Sequence, residues 1–471
     1  MGLLCVRFNI VIIKIYDIMC TNRQYISEID GVSIVDLIQL YGSPLFVTSE
    51  SRLRINIRKI LHSFRENYPY IVHGWPYKTN YIDAICRILH QEGSWAEVSS
   101  LLEYEKARKH GVGGEKILFN GPHKPRSILE CAIAENAHLN IDHFDELKLV
   151  EAIAREKNYR ISIAIRINYK SEFITTWERF GFSIDNGEAR RVCNWIKKSP
   201  FLTIDGLHCH IGTSIINPDA YKEQIQIMCD FMKDIESDNE TEIKFLDIGG
   251  GIPSLDAFQV LHCNEGGYLV TIDDYSKTIC NALKFELSGR NKRLPTLIFE
   301  CGRAVIDNSQ FLITKIIGVK RLPDGKQAAI LDAGINILPT ALSSNHPVAL
   351  SRQHSDQLIE TVLYGPLCTN IDIMRQSIDL PILYKDDLLI FQMVGAYNNT
   401  NWMQFGELRP AIILISELGS HNIIRAAETV ADVCRNERIP DYLLVTSPPE
   451  EGEWVADPKV RVTITDPTPS S

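Results

Sequence analysis

Short apolar segments alternate with amphipathic segments along residues 45–304. Apolar runs of strand length occupy 70–73, 95–98, 117–119, 139–141, 161–167, 206–210, 245–248 and 296–300. Between several of them, apolar residues recur with the helical period, at 81–92, 102–110, 125–136, 145–157 and 217–237. Continuous apolar runs are typical of strands that are buried on both faces of a parallel sheet covered by helices. The pattern therefore predicts an α/β fold.

Strands and helices that alternate eight times in about 250 residues suit a closed, TIM-like (β/α)8 barrel. An open doubly wound sheet is the main alternative. In a barrel, the carboxyl ends of the strands share one mouth, where catalytic groups collect. The residues expected at this mouth follow the apolar runs and are polar or glycine: Lys78, Ser99, Asn120, Asp142, Asn168, His210, Gly249 and Glu300.

The pattern changes after Gly302. Strand-like runs at 311–319, 327–331, 361–364, 387–393 and 411–416 follow one another with few helical segments between them. They predict a C-terminal all-β domain over 305–447, after a barrel at 45–304. Residues 1–44 are expected to be an extension and a segment that joins the β domain. The Pro-, Ser- and acid-rich residues 448–471 are expected to form a mobile tail.

Composition and charge exclude several classes of protein. The chain has 471 residues and a formal net charge of −10, which argues against nucleic-acid binding. Its 12 cysteines form no C-x-x-C pair, so we expect no zinc ribbon or redox pair, and they indicate a cytoplasmic protein. The apolar stretch from Leu3 to Ile18 is interrupted by charges and is too short to span a bilayer, and Met19 is an alternative start to Met1.

A lysine and a histidine are candidates for binding a flat cofactor. Lys78 follows an apolar run, and lysine attacks an aldehyde once its neutral form is accessible. A surface lysine is the alternative. His208 and His210 would point to the same side of a strand, but no acid or cysteine has convincing spacing for a shared metal, and none is predicted. His210 fits better as an aromatic plate against a flat ring, with Thr213 near its phosphate.

A glycine turn and an acid follow in the same order along the chain. Gly249, Gly250 and Gly251 leave room for backbone N–H groups to approach an anion, although a plain tight turn is the alternative. Glu300 begins the motif Glu-Cys-Gly-Arg, which ends at Arg303. A carboxylate beside a pyridine nitrogen keeps that nitrogen protonated, so that the ring withdraws electrons. A structural ion pair between Glu300 and Arg303 is the competing interpretation.

Two further side chains could complete such a site. Cys368 lies in the turn-like segment Gly-Pro-Leu-Cys-Thr, where a partly exposed thiol could deliver a proton to a carbanion. A small buried side chain is the commoner fate of cysteine. Tyr397 follows Gly395-Ala396 and has an apolar body with a polar tip, so it could close over a cofactor.

Taken in order, these motifs resemble the fold-type III pyridoxal phosphate-dependent decarboxylases, the diaminopimelate and ornithine decarboxylase family. The resemblance covers roughly residues 42–416, and the motifs are most similar to those of diaminopimelate decarboxylase-like proteins. It implies an alanine racemase-like barrel with a C-terminal β domain, pyridoxal 5'-phosphate as the cofactor, and a homodimer with shared active sites.

The resemblance also implies roles for single residues. Lys78 matches the lysine that forms the Schiff base, Glu300 the acid on the pyridine nitrogen, and Cys368 the general acid that the partner subunit supplies. The positions that match cofactor-binding residues are Lys78, His210, Thr213, Gly249, Gly250, Gly251, Glu300, Gly302, Arg303 and Tyr397. Thr213 replaces a serine of the family, and Cys301 replaces a proline.

The departures from the family pattern concern the substrate. Thr369 stands where these decarboxylases carry an acid that binds the distal amine, and the segment around Thr340 lacks the arginine that binds the distal carboxylate. Asp372 could still meet an amine. We therefore expect α-decarboxylation of an amino acid with an uncharged or tethered distal group, one carried on a larger molecule, and not of free diaminopimelate.

Two other functions remain as alternatives. An amino-acid racemase on the same fold would favour arginine at the pyridine nitrogen, which Glu300 opposes. A catalytically silent homologue that regulates a partner would have no need of Lys78, His210, Glu300 and Cys368, all of which are intact. Neither nucleic acid nor a membrane is an expected partner.

Overall fold

The structure is a computed structural model that describes residues 25–239, 241–254, 270–353 and 357–443. The expectations for residues 1–24 and for the tail at 448–471 lie outside the described residues. The chain divides into two compact units, Met1–Ala427 and Glu428–Ser471. The first unit contains both a barrel and a second sheet.

The first described segment belongs to the second sheet. It comprises the hairpin of strands β1 (Glu28–Ile29) and β2 (Val32–Ser33), helix α1 (Ile34–Tyr41) and strand β3 (Leu45–Ser49). The hydroxyl of Ser33 caps α1 by accepting a hydrogen bond from the Asp36 backbone N–H. The barrel range predicted from the sequence, 45–304, includes strand β3. Both of its neighbours lie in the second sheet, so the barrel segment begins with the helix after Ser49.

Eight parallel strands form a closed ring. In chain order the strands of the ring are β4 (Ile71–Pro76), β5 (Trp95–Val98), β6 (Ile117–Phe119), β7 (His138–Ile141), β8 (Ile161–Asn168), β10 (Leu202–His208), β11 (Phe245–Asp247) and β12 (Thr296–Phe299). The two-residue strand β9 (Phe182–Ser183) pairs with β8 outside the ring. The ring is closed by the pairing of β12 with β4, where Leu297 lies opposite Ile71. This pairing confirms the barrel and excludes the open sheet.

Helices connect the strands and cover the outside of the barrel. They are α2 (Glu50–Asn67), α3 (Asp83–Gln91), α4 (Leu101–Lys109), α5 (Arg126–Ala134), α6 (Phe144–Lys157), α7 (Glu188–Lys198), α8 (Asp219–Asn239), α9 (Ile272–Glu286) and α10 (Arg303–Ile306). Helix α7 shows why they pack: Ala189, Val192, Cys193 and Ile196 are buried at the spacing of one helix face. Among the described residues, no helix is both long enough and apolar enough to cross a membrane.

The C-terminal domain is built on a mixed sheet. Its strands are β13 (Gln310–Arg321), β14 (Gln327–Leu331), β15 (Val348–Leu350), β16 (Leu358–Tyr364), β17 (Ile373–Pro381), β18 (Leu388–Phe391), β19 (Ala411–Ile415) and β20 (His421–Arg425). The order is β17-β16-β14-β13-β3-β19-β20, and β18 pairs with both β13 and β15. Ile34 and Leu37 of α1 pack in its core with Val47, Ile313 and Ile413. This confirms the predicted second, β-rich domain.

The second compact unit contains a short helix, α11 (Val430–Cys434). Thr429 and Asp432 form a capping box at its start, in which each side chain accepts a hydrogen bond from the backbone of the other residue. A single 3-10 turn follows at Asp441–Leu443.

Candidate active site

A cavity of about 400 Å³ opens at the carboxyl ends of the barrel strands. Its wall contains most of the predicted cofactor-binding residues: Lys78, His210, Thr213, Gly250, Gly251, Glu300, Gly302, Arg303 and Tyr397. Gly249 lies in the same glycine turn, directly after Ile248. The barrel brings Lys78 to Arg303 together, and the C-terminal domain adds Tyr397 to the same wall.

Lys78 forms an ion pair with Glu97 inside this cavity. Lys78 lies two residues after β4, and its amine donates a hydrogen bond to the carboxylate of Glu97 on β5. The Lys78 side chain is 40% exposed to the cavity, whereas that of Glu97 is fully buried. Desolvation alone would lower the pKa of Lys78, but the carboxylates of Glu97 and Glu300 outweigh it and raise this pKa. Lys78 is therefore held as a cation.

Asn120 connects Glu97 with Glu300. Its Nδ2 atom donates to Glu97 Oε1 at 2.9 Å and to Glu300 Oε1 at 2.6 Å. Its Oδ1 atom accepts a hydrogen bond from Asn140 Nδ2 at 2.6 Å. Asn120 is 4% exposed, and its backbone N–H continues the β5–β6 pairing by donating to the Val98 carbonyl. One buried amide thus contacts both carboxylates.

Glu300 lies in a buried acidic cluster at the end of β12. Burial raises the pKa of Glu300, and the nearby Asp247 and Glu97 raise it further. Its Oε1 atom is 3.7 Å from His208 Nε2. Burial also raises the pKa of Asp247, to about 6. Glu300 is therefore suited to hold a proton and to share it with a basic nitrogen in the cavity.

His208, Asp247 and Glu300 are also the one group among the described residues with metal-binding geometry. Their ligand atoms lie within 4.8 Å of one another. Burial lowers the pKa of His208, and the positive charges of Arg166, Lys78 and Lys124 lower it further. The same positive charges oppose the binding of a cation at this position.

His210 presents a neutral ring to the cavity. Desolvation lowers its pKa to about 3, and the charges of Lys78 and Arg166 act in the same direction. Its Nδ1 atom accepts a hydrogen bond from the Gly250 N–H at 3.1 Å, which leaves the ring proton on Nε2. Trp177 packs edge to face against the ring, with 5.2 Å between centroids. The imidazole is thus fixed as a flat, uncharged surface.

The glycine turn fits tightly between His210 and Glu300. Gly249 and Gly251 have φ values of 65° and 104°, a region that favours glycine. A Cβ atom on Gly250 would lie 2.5 Å from the Glu300 carbonyl oxygen, and one on Gly249 would lie 2.7 Å from the His210 side chain. No larger residue fits, and the backbone is left open to the cavity. This turn is a suitable cradle for the phosphate of a cofactor.

Arg303 and Tyr397 lie together on the wall of the cavity. The Arg303 guanidinium is 5.2 Å from the centre of the Tyr397 ring, and it contacts the Asp307 carboxylate at 3.1 Å. The Tyr397 N–H donates a hydrogen bond to the carbonyl of Thr79, the residue that follows Lys78 in the sequence. A cation and a phenol therefore lie beside the glycine turn, which is the donor set that a phosphate needs.

Three predicted residues do not line the cavity. Cys368 is exposed in the loop between β16 and β17, and Thr369 follows it. Asp372 is 3% exposed, and its carboxylate accepts hydrogen bonds from the backbone N–H groups of Ile335 and Leu367 at 2.8 and 2.7 Å. Asp372 therefore organises the Cys368 loop.

Thr340 occupies the segment where the resemblance leads us to expect an arginine. Its hydroxyl donates to Asn398 Oδ1 at 2.7 Å and contacts His346 Nε2 at 2.8 Å. These contacts are with the C-terminal domain, and Thr340 does not line the cavity. The Pro339–Leu342 turn therefore presents no positive charge to the cavity.

Several cavity residues have no role in the analysis of the sequence, among them Glu97, Asn120, Arg166, Trp177 and Phe180. Asn120 was recognised at a strand end but not as a ligand. An acid inside the apolar run 95–98 was the available signal for Glu97. Trp177 and Phe180 lie on the segment between β8 and β9, where the sequence has no comparable signal.

The closed barrel, the lysine in its mouth and the fitted glycine turn define a barrel enzyme of the pyridoxal phosphate-binding class. The chain belongs to the pyridoxal-dependent decarboxylase family, because residues 54–307 match the family model "Pyridoxal-dependent decarboxylase, pyridoxal binding domain". It is accordingly a pyridoxal phosphate-dependent carboxy-lyase.

Relatives of known activity support this assignment. The chain is similar to the diaminopimelate decarboxylases of Methanothermobacter thermautotrophicus (27% identity over 425 residues, 88% of this chain and 96% of the relative) and Archaeoglobus fulgidus (29% over 440 residues, 90% and 100%). The crystal structure of the Methanocaldococcus jannaschii diaminopimelate decarboxylase superposes with a TM-score of 0.81 at 26% identity and covers 88% of this chain and 97% of that one.

Proposed function

We propose that this protein holds pyridoxal 5'-phosphate on Lys78 and removes the α-carboxylate from an amino acid whose distal end is uncharged or tethered. The observation that carries the proposal is the convergence of Lys78, His210 and Glu300 on one cavity of about 400 Å³. When bound there, the pyridoxal ring supplies an electron sink for the electron pair that departing carbon dioxide leaves behind.

Each side chain has a distinct task in this proposal. Lys78 supplies the amine, and Glu97 is placed to accept the proton that this amine must lose before it attacks an aldehyde. His210, neutral because its pKa is lowered to about 3, supports one face of the ring. Glu300, whose pKa is raised by burial, shares a proton with the ring nitrogen.

The phosphate would be held at the opposite end of the cofactor. The glycine turn offers backbone N–H groups, Arg303 offers a charged donor, and Tyr397 and Thr213 offer hydroxyls. The Arg303 contact with Asp307 keeps the guanidinium beside the Tyr397 ring. These residues bind and orient, and none of them needs to exchange a proton.

A second copy of the chain would complete the site. Cys368 is exposed, and its loop lies outside the cavity of its own protomer, so a proton donated by this thiol would have to reach a neighbouring subunit. We therefore infer a homodimer with two shared active sites. A cytoplasmic location is a separate part of the proposal and rests on the 12 cysteines, which include no C-x-x-C pair. The loop is held in a defined shape by Asp372, which suits a residue that must be presented to a partner.

The choice of substrate follows from two missing charges. Diaminopimelate carries a second ammonium and a second carboxylate at its distal end. Thr369 supplies no negative charge, and Thr340 is turned towards Asn398 and His346. Burying an ionised group without a partner is costly, so a distal end without these charges is favoured.

The cofactor role is tested by Lys78→Ala, with Lys78→Arg as the control that keeps the charge beside Glu97. The wild-type protein should develop a visible absorbance band with pyridoxal phosphate that borohydride reduction fixes to Lys78, and both variants should lack the band and turnover. If the wild-type protein forms no such bond, the proposed function is wrong.

The substrate is tested by measuring carbon dioxide release from diaminopimelate, lysine, ornithine and derivatives of each with the distal amine acylated. We expect the derivatives to be turned over with higher kcat/KM than the free diamino acids. Efficient decarboxylation of free diaminopimelate would contradict the substrate class and leave the cofactor role intact.

A further inference from the structure

The side chain of Asn120 lies at the centre of the barrel mouth and is fully engaged. Both hydrogens of its amide are directed at carboxylates, Glu97 at 2.9 Å and Glu300 at 2.6 Å. Its oxygen accepts from Asn140 at 2.6 Å. Because the Glu97 carboxylate, paired with Lys78, can only accept, the amide nitrogen faces the acids and the amide oxygen is left to accept from Asn140.

The two acids belong to different parts of the site. Glu97 contacts the amine of Lys78, and Glu300 lies at the end of β12 in a separate acidic cluster. Glu97 is fully buried and Glu300 is 5% exposed, so the charge of Glu97 acts on Glu300 with little screening by solvent and helps to raise the pKa of Glu300. A neutral group that donates to both side chains adds no further charge and sets the distance between the two acids.

We propose that Asn120 is a positioning residue that holds Glu97 and Glu300 at one spacing, so that the lysine end and the ring-nitrogen end of the cofactor are aligned together. This rests on the proposed function, because it needs a ring held between Lys78 and Glu300. Asn140 acts through Asn120, since its contact is with the amide oxygen.

The environment explains why an amide suits this position. A carboxylate at 120 would face two other acids without a second donor for either, and an apolar side chain would leave the Glu300 oxygen with one donor fewer in a buried site. Leaving a buried charged acceptor without its donor is more costly than the hydrogen bond is stabilising. Glu97 at the lysine end of the site and Glu300 at the ring-nitrogen end would then both lose their defined positions.

The test compares Asn120→Ala, Asn120→Asp and Asn140→Ala with Asn56→Ala as the matched control. Asn56 is also a buried asparagine, and it lies on α2; its Nδ2 atom donates to the Val305 carbonyl at 2.8 Å, to Asn308 Oδ1 at 2.6 Å and to Ser309 Oγ at 3.3 Å. For each protein, urea unfolding without cofactor, the dissociation constant for pyridoxal phosphate, the pH midpoint of the visible band, kcat and KM are measured.

Asn120→Ala should lower kcat by about ten- to a hundredfold, the worth of hydrogen bonds to charged groups, while KM changes little. Asn120→Asp should move the pH midpoint of the band upwards, because an added negative charge stabilises the protonated form of the lysine-bound cofactor. Asn140→Ala should cause a smaller fall in kcat, with no further fall when it is combined with Asn120→Ala.

The proposal is overturned if Asn120→Asp leaves the pH midpoint unchanged, or if Asn120→Ala lowers kcat no more than Asn56→Ala at equal loss of stability. Additive effects of Asn120→Ala and Asn140→Ala would also overturn it. A wild-type protein that forms no visible band would instead overturn the proposed function, so the two failures are distinguishable.

Discussion

The amine of Lys78 and the carboxylate of Glu97 form an ion pair in the mouth of the barrel. The pair joins the ends of adjacent parallel strands, and Pro76 on β4 lies opposite Glu97 on β5. Glu97 has no exposed surface, and Asn120 contacts its other oxygen. Lys78, on which we propose that the cofactor is held, is therefore kept as a cation next to a buried carboxylate.

Replacing Glu97 with glutamine should change the pH dependence of cofactor binding. The pKa of Lys78 is raised against the effect of desolvation by Glu97 and Glu300, so a neutral amide at position 97 should lower this pKa. The rate at which the visible band forms after pyridoxal phosphate is added should then reach its maximum at lower pH. Stopped-flow absorbance over a pH series measures this shift.

Glu151→Gln is the matched control for this experiment. Glu151 is also a buried carboxylate of the barrel, but its partners are Trp195 and Ser199 on the outside. Its replacement should leave the pH profile unchanged. An identical profile for Glu97→Gln and the wild-type protein would show that Glu97 does not govern the proton on Lys78.

Mixing two inactive variants should restore activity if the active sites are shared. Lys78→Ala removes a residue of the cavity, and Cys368→Ala removes an exposed thiol on a separate loop. When the two homodimers are mixed and allowed to exchange subunits, half of the dimers contain both chains, and each of these has one intact site. We expect about a quarter of the wild-type activity.

The matched control combines both substitutions in one chain and mixes it with the wild-type protein. Hybrid dimers then contain no intact site, so subunit exchange should lower the activity of the mixture below that of the wild-type protein it contains. If the mixture of single variants stays inactive although size-exclusion and mass measurements show subunit exchange, the proposed sharing of sites is contradicted.

The residues that the sequence proposes for cofactor binding lie in short motifs, and most of them line one cavity. Gly249 to Gly251 and Glu300 to Arg303 are each contiguous in the sequence, so each motif can be recognised without knowing which strands are neighbours. The closed ring of strands then brings these motifs to one cavity, which the alternation of apolar runs also predicts. For these residues, local sequence and global fold agree.

The contacts between strands could not be predicted in the same way. Glu97 meets Lys78 only through the register of β4 and β5, and Asn120 meets Glu300 across the barrel. The predicted barrel begins at residue 45 and therefore includes β3, which pairs with β13 and β19; all five residues of β3 are buried, so no alternation of buried and exposed positions indicates its partners. Asp372 shows a similar limit, since its carboxylate contacts backbone groups that the sequence does not identify.

Asp372→Ala should lower kcat with little effect on cofactor affinity. The substitution removes two hydrogen bonds to backbone N–H groups, those of Ile335 and Leu367, and so loosens the loop that carries Cys368. Hydrogen bonds to a charged group contribute about 1.5 to 3 kcal/mol, so the defined loop should be weakly populated. The cofactor residues of the cavity are not touched, and absorbance titration should show an unchanged dissociation constant.

Asp379→Ala is the control for this prediction. Asp379 lies on the neighbouring strand β17 but is exposed, so its loss should leave kcat unchanged. A normal kcat for Asp372→Ala would contradict the positioning role of Asp372, whereas a lost cofactor affinity would show that its effect reaches the barrel.

His73 should make folding sensitive to acid. It is 1% exposed on β4, its Nδ1 atom contacts the Ser94 hydroxyl at 2.8 Å, and its Nε2 atom contacts the Cys301 carbonyl at 3.0 Å. Burial lowers its pKa from 6.5 to about 4. Between these two pH values the unfolded chain binds a proton on His73 and the folded protein does not. The contribution of neutral His73 to the free energy of unfolding is therefore complete above pH 6.5 and is lost as the pH falls towards 4.

The variant His73→Gln isolates this contribution, because an uncharged amide can donate to Cys301 and accept from Ser94 without titrating. Asp247 and Asp307, whose pKa values burial raises to about 6, act in the opposite direction and are common to both proteins. Between about pH 7 and pH 4.5, the free energy of unfolding in urea should therefore fall by about 2 to 3 kcal/mol less in His73→Gln than in the wild-type protein. Equal losses in the two proteins would mean that His73 is protonated in the folded state.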